Sequence, residues 1–572
     1  MLKRGSPKTI FIIILLIAVV VSSYYAYKYI KSYNSSPTES IPEFAFQEEK
    51  NYPSIDELKN VPISYKYTSL IAVGDFLLDR NVGNRMKEIN DYFFPIRNTK
   101  DVLESADITF CNVECPICEG RKIGITETSF RADPETVQTL LYGGFDIVSL
   151  ANNHTMNFGE DCLLKTFNYL NEAGIDYIGA GSNFEDSHKP LIKTINGTTL
   201  AFLAYNDSDV VPSYYFADKD SAGTNKMDIA QLQSDIEKIN QGNFGSIDHI
   251  ILSMHSGTEY TKVPNQRQKD FAHAAIDAGV DIVLGHHPHN VQHVEQYKGK
   301  YIIYSMGNFV LDQMRWEDCT KELLLNITIS RKSIFEVEVI PIRMKKFCET
   351  NVAEGYEKQE ILEIINYETV SRPYIKFEEN EYKIFERDVL ENNDLEFDTK
   401  KTILNNRSLS WTESENLTAT LYKNVLYVMN DESIIWSLDE KISDIEVGDF
   451  NNDDLEELVI SYWEEEQNQL INKISMFKLI NHEVTEVWNR QTADTPIIDI
   501  EISDLDNDGL NEMILIEGNY DDYQNNQYNG KSVMIWQLKN DKLSTIFNET
   551  VCSIDHMWID RSMIYLICNE SE

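Results

Sequence analysis

The sequence predicts an α/β domain over residues 67–345, a connecting segment at 346–400 and an all-β repeat module at 401–572, behind one apolar N-terminal helix. Three observations carry this reading. From Tyr67 onward, short apolar runs alternate with amphipathic stretches that end in glycine. An acidic pattern at Asp444–Ile460 recurs 55 residues later, at Asp499–Leu515. The first 33 residues hold Lys3, Arg4, Lys8, Lys28 and Lys31 and no acid, around an unbroken apolar run from Ile10 to Val21.

The charge limits the partners. With 572 residues and 42% apolar side chains, the chain is too long for one core and too apolar for global disorder, so two or three domains are expected. Ninety-three acidic side chains against 51 basic ones leave a net charge of −42. That excess opposes binding to nucleic acid or to an anionic membrane face, and it suits cations. Residues 401–572 carry 34 acids and 11 bases, so under a third of the chain holds over half of the excess and reads as a separate module.

The N-terminal apolar segment, Thr9 to Ile30, just reaches across a hydrocarbon core of roughly 30 Å as a helix, with Tyr24, Tyr25 and Tyr27 at one interface. Residues 1–33 therefore read as a single membrane anchor. The rival is a cleaved signal peptide, but no small-x-small cleavage site precedes the polar stretch and no lipobox cysteine follows. Three of the first eight residues are basic and no second span follows, which places the N-terminus inside and the bulk of this single-pass chain on the extracellular face of the cell membrane. Residues 34–66, rich in Ser, Pro, Glu and Asn, read as a linker.

Within 67–345 three junctions share one form: Gly144-Phe145-Asp146-Ile147-Val148, Gly174-Ile175-Asp176-Tyr177-Ile178 and Gly279-Val280-Asp281-Ile282-Val283. Each reads as a helix, a glycine cap and a buried strand. The helix around Gln266 to Ala278 places Phe271, Ala274, Ala275 and Ala278 on one face. Such alternation predicts an α/β domain built on a central sheet.

Polar clusters fall where each strand should end. Leu70–Val73 runs into Gly74-Asp75, Ile108–Phe110 into Asn112-Val113-Glu114, and Ile147–Leu150 into Asn152-Asn153-His154. Ile250–Ser253 leads to His255 and Glu259, Ile282–Leu284 to His286-His287-Pro288-His289, and Ile302–Tyr304 to Ser305-Met306-Gly307-Asn308. Strand ends of an α/β sheet gather in one crevice, so these loops can converge. Six of the eleven histidines, namely His154, His255, His286, His287, His289 and His293, lie in or just beyond them. Any one of them alone reads as a hydrogen-bonded or surface imidazole. As a set with Asp, Glu and Asn, without a serine elbow or glycine-rich phosphate loop, they read as ligands for one or two divalent metals of the Zn, Mn or Fe type.

These residues resemble a family. Gly74-Asp75, Asn112-Val113-Glu114, Asn153-His154, His255 with Glu259-Tyr260, His287-Pro288-His289 with Gln292, and Ser305–Phe309 look like the successive motifs of the capsule-synthesis CapA family, over about residues 67–320. That family is tied to poly-γ-glutamate production and has a calcineurin-like metallophosphoesterase fold. The resemblance implies Asp75 on one metal, Glu114 bridging, Asn153, His255 and His287 on a second metal, and His289 on the first. It implies His154 as proton donor or stabiliser of a leaving oxygen. The Asp-x-His opening of typical metallophosphoesterases is missing, since Phe76 and Leu77 follow Asp75, which leaves the first metal fewer protein ligands. Ser256 stands where the family usually has an aromatic residue.

Around this set, Arg80 and Arg131 are candidates to hold an anion, with surface ion pairs as the plainer reading. Glu259 is expected to orient a histidine or to cap its turn, and Asn308 to support the ligands. Cys111, Cys115 and Cys118 have no second pair at zinc-ribbon spacing, so they read as a local disulfide or as plain thiols, and Cys552 and Cys568 can pair across neighbouring strands.

In the tail, oxygen ligands recur at Asp449, Asn451, Asp453 and Glu457, and again at Asp504, Asp506, Asp508 and Glu512. This is a calcium-loop pattern flanked by strands, without the terminal Glu of an EF-hand; its plainer reading is a solvated acidic turn. It resembles the FG-GAP or VCBS type of propeller-blade repeat. Trp436, Trp488 and Trp536 recur at intervals of about 50 residues, and Ile554 to Ile567 looks like a third copy without ligands. Three units are too few for a propeller of about four to eight blades, unless the stretch before residue 401 adds one.

The expected function is work on an anionic surface polymer, poly-γ-glutamate by resemblance, in its synthesis, export or attachment, beside its synthesis machinery. The alternatives are a general metal-dependent phosphoesterase and a non-catalytic scaffold that binds polymer or partner proteins.

Overall fold

A computed structural model describes residues 67–568, apart from 122–127, 347, 368, 379–380, 391–405, 412–416, 423–424, 431–432, 452, 454, 467–468, 481–482, 492–495, 519–529, 540–541, 552–553 and 561–562. The expected membrane helix at Thr9–Ile30 and the linker at 34–66 lie outside the described residues. Among the described residues no helix is long and apolar enough to cross a membrane.

Strands β1 (Thr68–Phe76), β2 (Ile108–Val113), β3 (Ile147–Ser149) and β4 (Asp176–Ile178) lie side by side in parallel. A second sheet contains β5 (Leu191–Ile195), β6 (Thr198–Asn206), β7 (His249–His255), β8 (Ile282–His286), β9 (Val294–Tyr297) and β10 (Lys300–Ile303), in the order β9-β10-β8-β7-β6-β5. The first sheet then gains β11 (Asn308–Val310) and β12 (Lys321–Ile329), both beside β1, and β13 (Ile334–Lys345) beside β12.

Side-chain alternation explains the layering. Leu70, Ala72, Ile108, Phe110 and Ile147 point between the sheets and meet Leu200, Phe202, Ile251, Ile282, Leu284 and Ile303. Their neighbours Ile71, Val73, Cys111 and Val148 face Val82, Met86, Leu140, Leu163 and Phe167 of the helical layer on one side. On the other side Leu203, Leu252, Val283 and Ile302 face Leu232, Ile236, Phe271 and Ala275. Burial of each such large side chain contributes about 1.5–3 kcal/mol. The single central sheet expected from the sequence is thus two sheets packed face to face between helices. Alternating strands and helices mark the strands but not the sheet to which each belongs.

The helix Gln266–Ala278 shows how local signals set an element. Asn265 accepts from the Gln268 N–H, and the Gln268 side chain accepts from the Asn265 N–H, a capping box. Gly279 ends the helix at φ +119°, in the left-handed region that favours glycine. Its buried stripe is Phe271, Ala272, Ala275 and Ile276, one position off the expected face; Ala274 and Ala278 are only half-buried.

Strand pairing continues past both expected boundaries. Within the segment 346–400, Glu349–Val352 pairs with β13, and Ile361 and Ile365 of the helix Gly355–Ile365 are buried in the inter-sheet core. After it, β14 (Thr369–Glu378) and β15 (Glu381–Leu390) form a hairpin, and Val389 pairs with Glu338 of β13. The acidic tail meets this hairpin by strand pairing: residues Met563–Tyr565 pair with Tyr374–Lys376 of β14. Charge composition records the surface of the tail, not its attachment.

Among the described residues of the tail the regular elements are strands. Strands from Asn406 to Leu438 make one four-stranded antiparallel sheet, and strands from Lys441 to Gln491 make another. Strands from Ile497 to Glu549 repeat the same antiparallel order. Ile554–Asp560 and Met563–Cys568 complete a further set of four with β14 and β15. The tryptophan spacing does not mark one place in these units. Trp436 and Trp488 lie on fourth strands, whereas Trp536 lies on a third.

Candidate metal centre

The parallel strands deliver their polar ends to one edge. Asp75 lies at the end of β1, Glu114 just after β2, Asn153 and His154 after β3, His255 at the end of β7, and His287 and His289 after β8. A close backbone crossing fixes β1 against the turn before β11. The Asp75 N–H donates to the Gly307 carbonyl at 2.9 Å, and a Cβ on Gly74 would lie 2.0 Å from that oxygen, so only glycine fits. His287 (φ +98°) and His289 (φ +58°) both sit in the left-handed region, a cost of about 1–3 kcal/mol each that the surrounding contacts sustain.

Two groups of potential ligand atoms result. Asp75, Glu114 and His289 form one, and Glu114, His255 and His287 the other; within each, the ligand atoms lie within 4.8 Å of one another. Glu114 belongs to both. Asn153 Oδ1 lies 3.0 Å from His255 Nε2, which brings all six sequence candidates into one cluster. Its electrostatics are uneven. Burial raises Asp75, but His286 and His289 outweigh it and hold that carboxyl well below the usual range. Burial and the Asp75 charge push Glu114 well above it. Burial drives His255 far down and His287 to about 3, so both rings are neutral, the form a cation would need. Burial also opposes a charge on His289, yet Glu114 and Asp75 carry it up to about 9.

Among the described residues neither oxygen of Glu114 has a hydrogen-bond partner, although the residue is fully buried. Buried polar atoms are rarely left so. A divalent cation would satisfy a carboxylate that two half-sites share, so the donor set fits such a group. The supporting contacts point the same way. Asn112 Nδ2 donates to Asp75 Oδ1 at 2.8 Å, and Asn152 Nδ2 donates to Asn112 Oδ1 at 3.1 Å. Asn308 Oδ1 lies 2.8 Å from His289 Nδ1, while the Asn308 amide donates to the Cys319 carbonyl, so Nδ1 carries the proton and Nε2 is left free.

The other candidates fall into place differently. His154 stacks on Phe130 with ring centroids 3.9 Å apart, and burial lowers it to about 3. Asn157 Oδ1 accepts from His154 Nδ1 (2.9 Å) and from the Phe130 N–H (2.7 Å), so the neutral ring presents Nε2 as an acceptor. Arg80 is ion-paired with Asp312 and lies 4.6 Å from the Phe130 ring, at the border of the cluster. Arg131 is neither an anion holder nor a surface ion pair. It is buried and donates to the Cys118 and Arg121 carbonyls and to Asp133, which ties the Cys118 loop to the segment around Arg131. Glu259 is exposed and neighbours Tyr260, with no hydrogen bond to a histidine among the described residues. Ser256 is buried and donates to Asp207 Oδ2 at 2.6 Å.

His286, one of the expected strand-end histidines, has Nδ1 3.5 Å from Asp75 Oδ1, and among the described residues neither ring nitrogen has a hydrogen-bond partner. Sequence reasoning passed over one buried acid. Glu322, on β12, is a buried acid that burial and Asp75 push well above its usual range. It sits in an apolar strand, and nothing in its neighbours announces it. The cysteines depart from expectation only at Cys118, which is bonded to Cys162, 44 residues away; Cys111 and Cys115 are buried thiols, as one of the two readings had them. Cys552 lies outside the described residues.

In the tail, Asp449, Asp453 and Glu457 cluster, as do Asp504, Asp506 and Glu512. Both loops are closed in the same way, by Glu457 accepting from the Phe450 N–H (2.8 Å) and Glu512 from the Leu505 N–H (2.9 Å). They differ in one neighbour. Lys478 Nζ pairs with Asp453 and lies 2.9 Å from Glu457, whereas the corresponding strand position beside Glu512 is Gln537. Burial, with Asp506 and Asp504 adding to it, pushes Glu512 up to about 7.

The profile of a family described as bacterial capsule synthesis protein PGA_cap matches residues 69–313. The capsule biosynthesis protein CapA of Bacillus anthracis is 30% identical over 306 residues, 53% of this chain and 73% of that protein. The PGA biosynthesis protein CapA of Bacillus subtilis is 28% identical over 296 residues, 51% of this chain and 75% of that protein. A solved SoxB sulfate thiohydrolase from Thermus thermophilus covers 55% of this chain and 64% of its own, with a TM-score of 0.31 and 9% identity, too distant to bear on the fold.

Proposed function

Because this chain belongs to the bacterial capsule synthesis family of CapA proteins, we propose that it serves the synthesis, export or attachment of an anionic surface polymer, poly-γ-glutamate, through a metal-dependent site of hydrolase or transferase type. The names of its relatives support the polymer. The orphaned Glu114 carboxylate, shared by two groups of ligands, is the observation that carries the site.

One or two Mn, Zn or Fe ions held by Asp75, Glu114, Asn153, His255, His287 and His289 would supply Lewis-acid stabilisation of charge at a phosphoryl or acyl centre. The rest is the work of the chain. Asn112 orients Asp75, and Asn308 orients the His289 ring. His154 presents Nε2 at the border of the cluster, where it can take a proton and return it to a leaving oxygen. Arg80, fixed by Asp312, and Phe130 wall that side.

An extracellular position behind a single membrane span suits the apolar N-terminal segment, and the Cys118–Cys162 bond supports an oxidising compartment. A four-stranded order recurring in the tail supports a propeller-blade reading of the FG-GAP or VCBS kind, with calcium in its acidic loops. The test is to assay purified full-length protein with manganese on γ-linked glutamate oligomers and on simple phosphate esters. Action on the oligomers that Glu114→Gln abolishes agrees with the proposal; turnover of esters alone replaces it with a general phosphoesterase.

A further inference from the structure

The segment that follows β11 wraps the mouth of the cluster. Asp312 grips Arg80 on the His154 side, and Gln313 Nε2 donates to Tyr260 Oη at 3.3 Å on the His289 side. Gln313 also accepts from Asn308, which holds His289, and the Tyr260 ring returns to 5.9 Å from the His289 ring. The rim is therefore tied to a ligand by a closed circuit of contacts. Trp316 extends it, 4.9 Å from Tyr260, and the Arg315 guanidinium lies 4.0 Å from the Trp316 ring centroid.

This rim does not serve the core. Tyr260 is 43% exposed and Trp316 39%. Arg315 is exposed and has no ion-pair partner among the described residues, although the chain holds 93 acids and 51 bases. The acids beside it are already engaged: Glu317 with Arg343 at 3.2 Å, and Asp318 with Lys262 at 2.9 Å and Lys321 at 3.0 Å. A guanidinium laid on an indole keeps its N–H edge open and loses little freedom when a carboxylate docks in its fork.

We propose that Arg315, stacked on Trp316, holds a carboxylate of the substrate while the neighbouring unit lies at the metal cluster. The inference rests on the polymer reading above and names how that polymer is oriented. A γ-linked glutamate chain offers one free carboxylate per residue and a run of methylenes between them. The carboxylate meets Arg315, and the methylenes lie along Trp316 and Tyr260.

The test measures binding of γ-linked glutamate oligomers to the full-length protein and to its Arg315→Glu and Arg315→Lys variants, with bound metal counted in each. Arg315 is exposed on a loop, so both variants should fold. The expected result is a Kd raised at least about tenfold by Arg315→Glu and less by Arg315→Lys, with metal content unchanged. Wild-type binding that Arg315→Glu leaves intact overturns this inference alone. Failure of the wild-type protein to bind the oligomers overturns the polymer reading and this inference together.

Discussion

His255 Nε2 lies 3.8 Å from Glu114 Oε1, with both side chains fully buried. Among the described residues no donor reaches either Glu114 oxygen. A carboxylate so placed is costly unless a cation completes it. Glu114→Gln keeps the shape and removes the charge common to both half-sites. Metal affinity should fall more than about 100-fold, beyond the 10–100-fold typical of losing a supporting hydrogen bond. Equilibrium dialysis with elemental analysis reads the change.

Asn308→Ala removes the acceptor that holds His289 Nδ1. The fold should survive, because the change also loses only the Asn308 bonds to Gln313 and to the Cys319 carbonyl. Metal affinity should fall by about 10–100-fold, a smaller loss than for Glu114→Gln. A loss equal to that of Glu114→Gln would mean that Asn308 does more than orient the ring.

The metal-free protein should respond to pH in a definite direction. His289 is raised to about 9 in the folded chain, above its ordinary value of 6.5. Its contribution to stability is complete below about pH 6.5 and disappears as pH rises through about 9. Glu114, also raised, acts in the same sense. In chelator, Tm should therefore decline between about pH 6.5 and 9. Metal binding needs both groups deprotonated, so affinity should rise over that window and binding at pH 7 should release protons. Calorimetry in buffers of different ionisation enthalpy measures that release.

The two acidic loops should not respond alike to calcium. Lys478 places a positive charge on Asp453 and Glu457, whereas the matching strand position beside Glu512 holds the uncharged Gln537. Calcium should raise Tm through the second loop, and Asp506→Asn should remove most of the rise. Lys478→Gln should add a second, weaker site that calorimetric titration can count.

The strand-end candidates were legible because each apolar run stops at a polar cluster, and parallel strands carry such clusters to one edge. Asp75, Glu114, Asn153, His255, His287 and His289 all meet there. What depends on tertiary pairing was hidden. Nothing local tells Cys118 that its partner is Cys162, or tells β14 that it will pair with Met563–Tyr565. The commitment of Arg131 to backbone carbonyls was equally unreadable, since a buried and an exposed arginine look the same in sequence.

The most direct test is elemental analysis of the purified full-length protein beside its Glu114→Gln and His255→Ala variants. One or two equivalents of manganese, zinc or iron per chain, lost in both variants, is the predicted result. A folded wild-type protein that neither retains nor takes up any of these metals would contradict it.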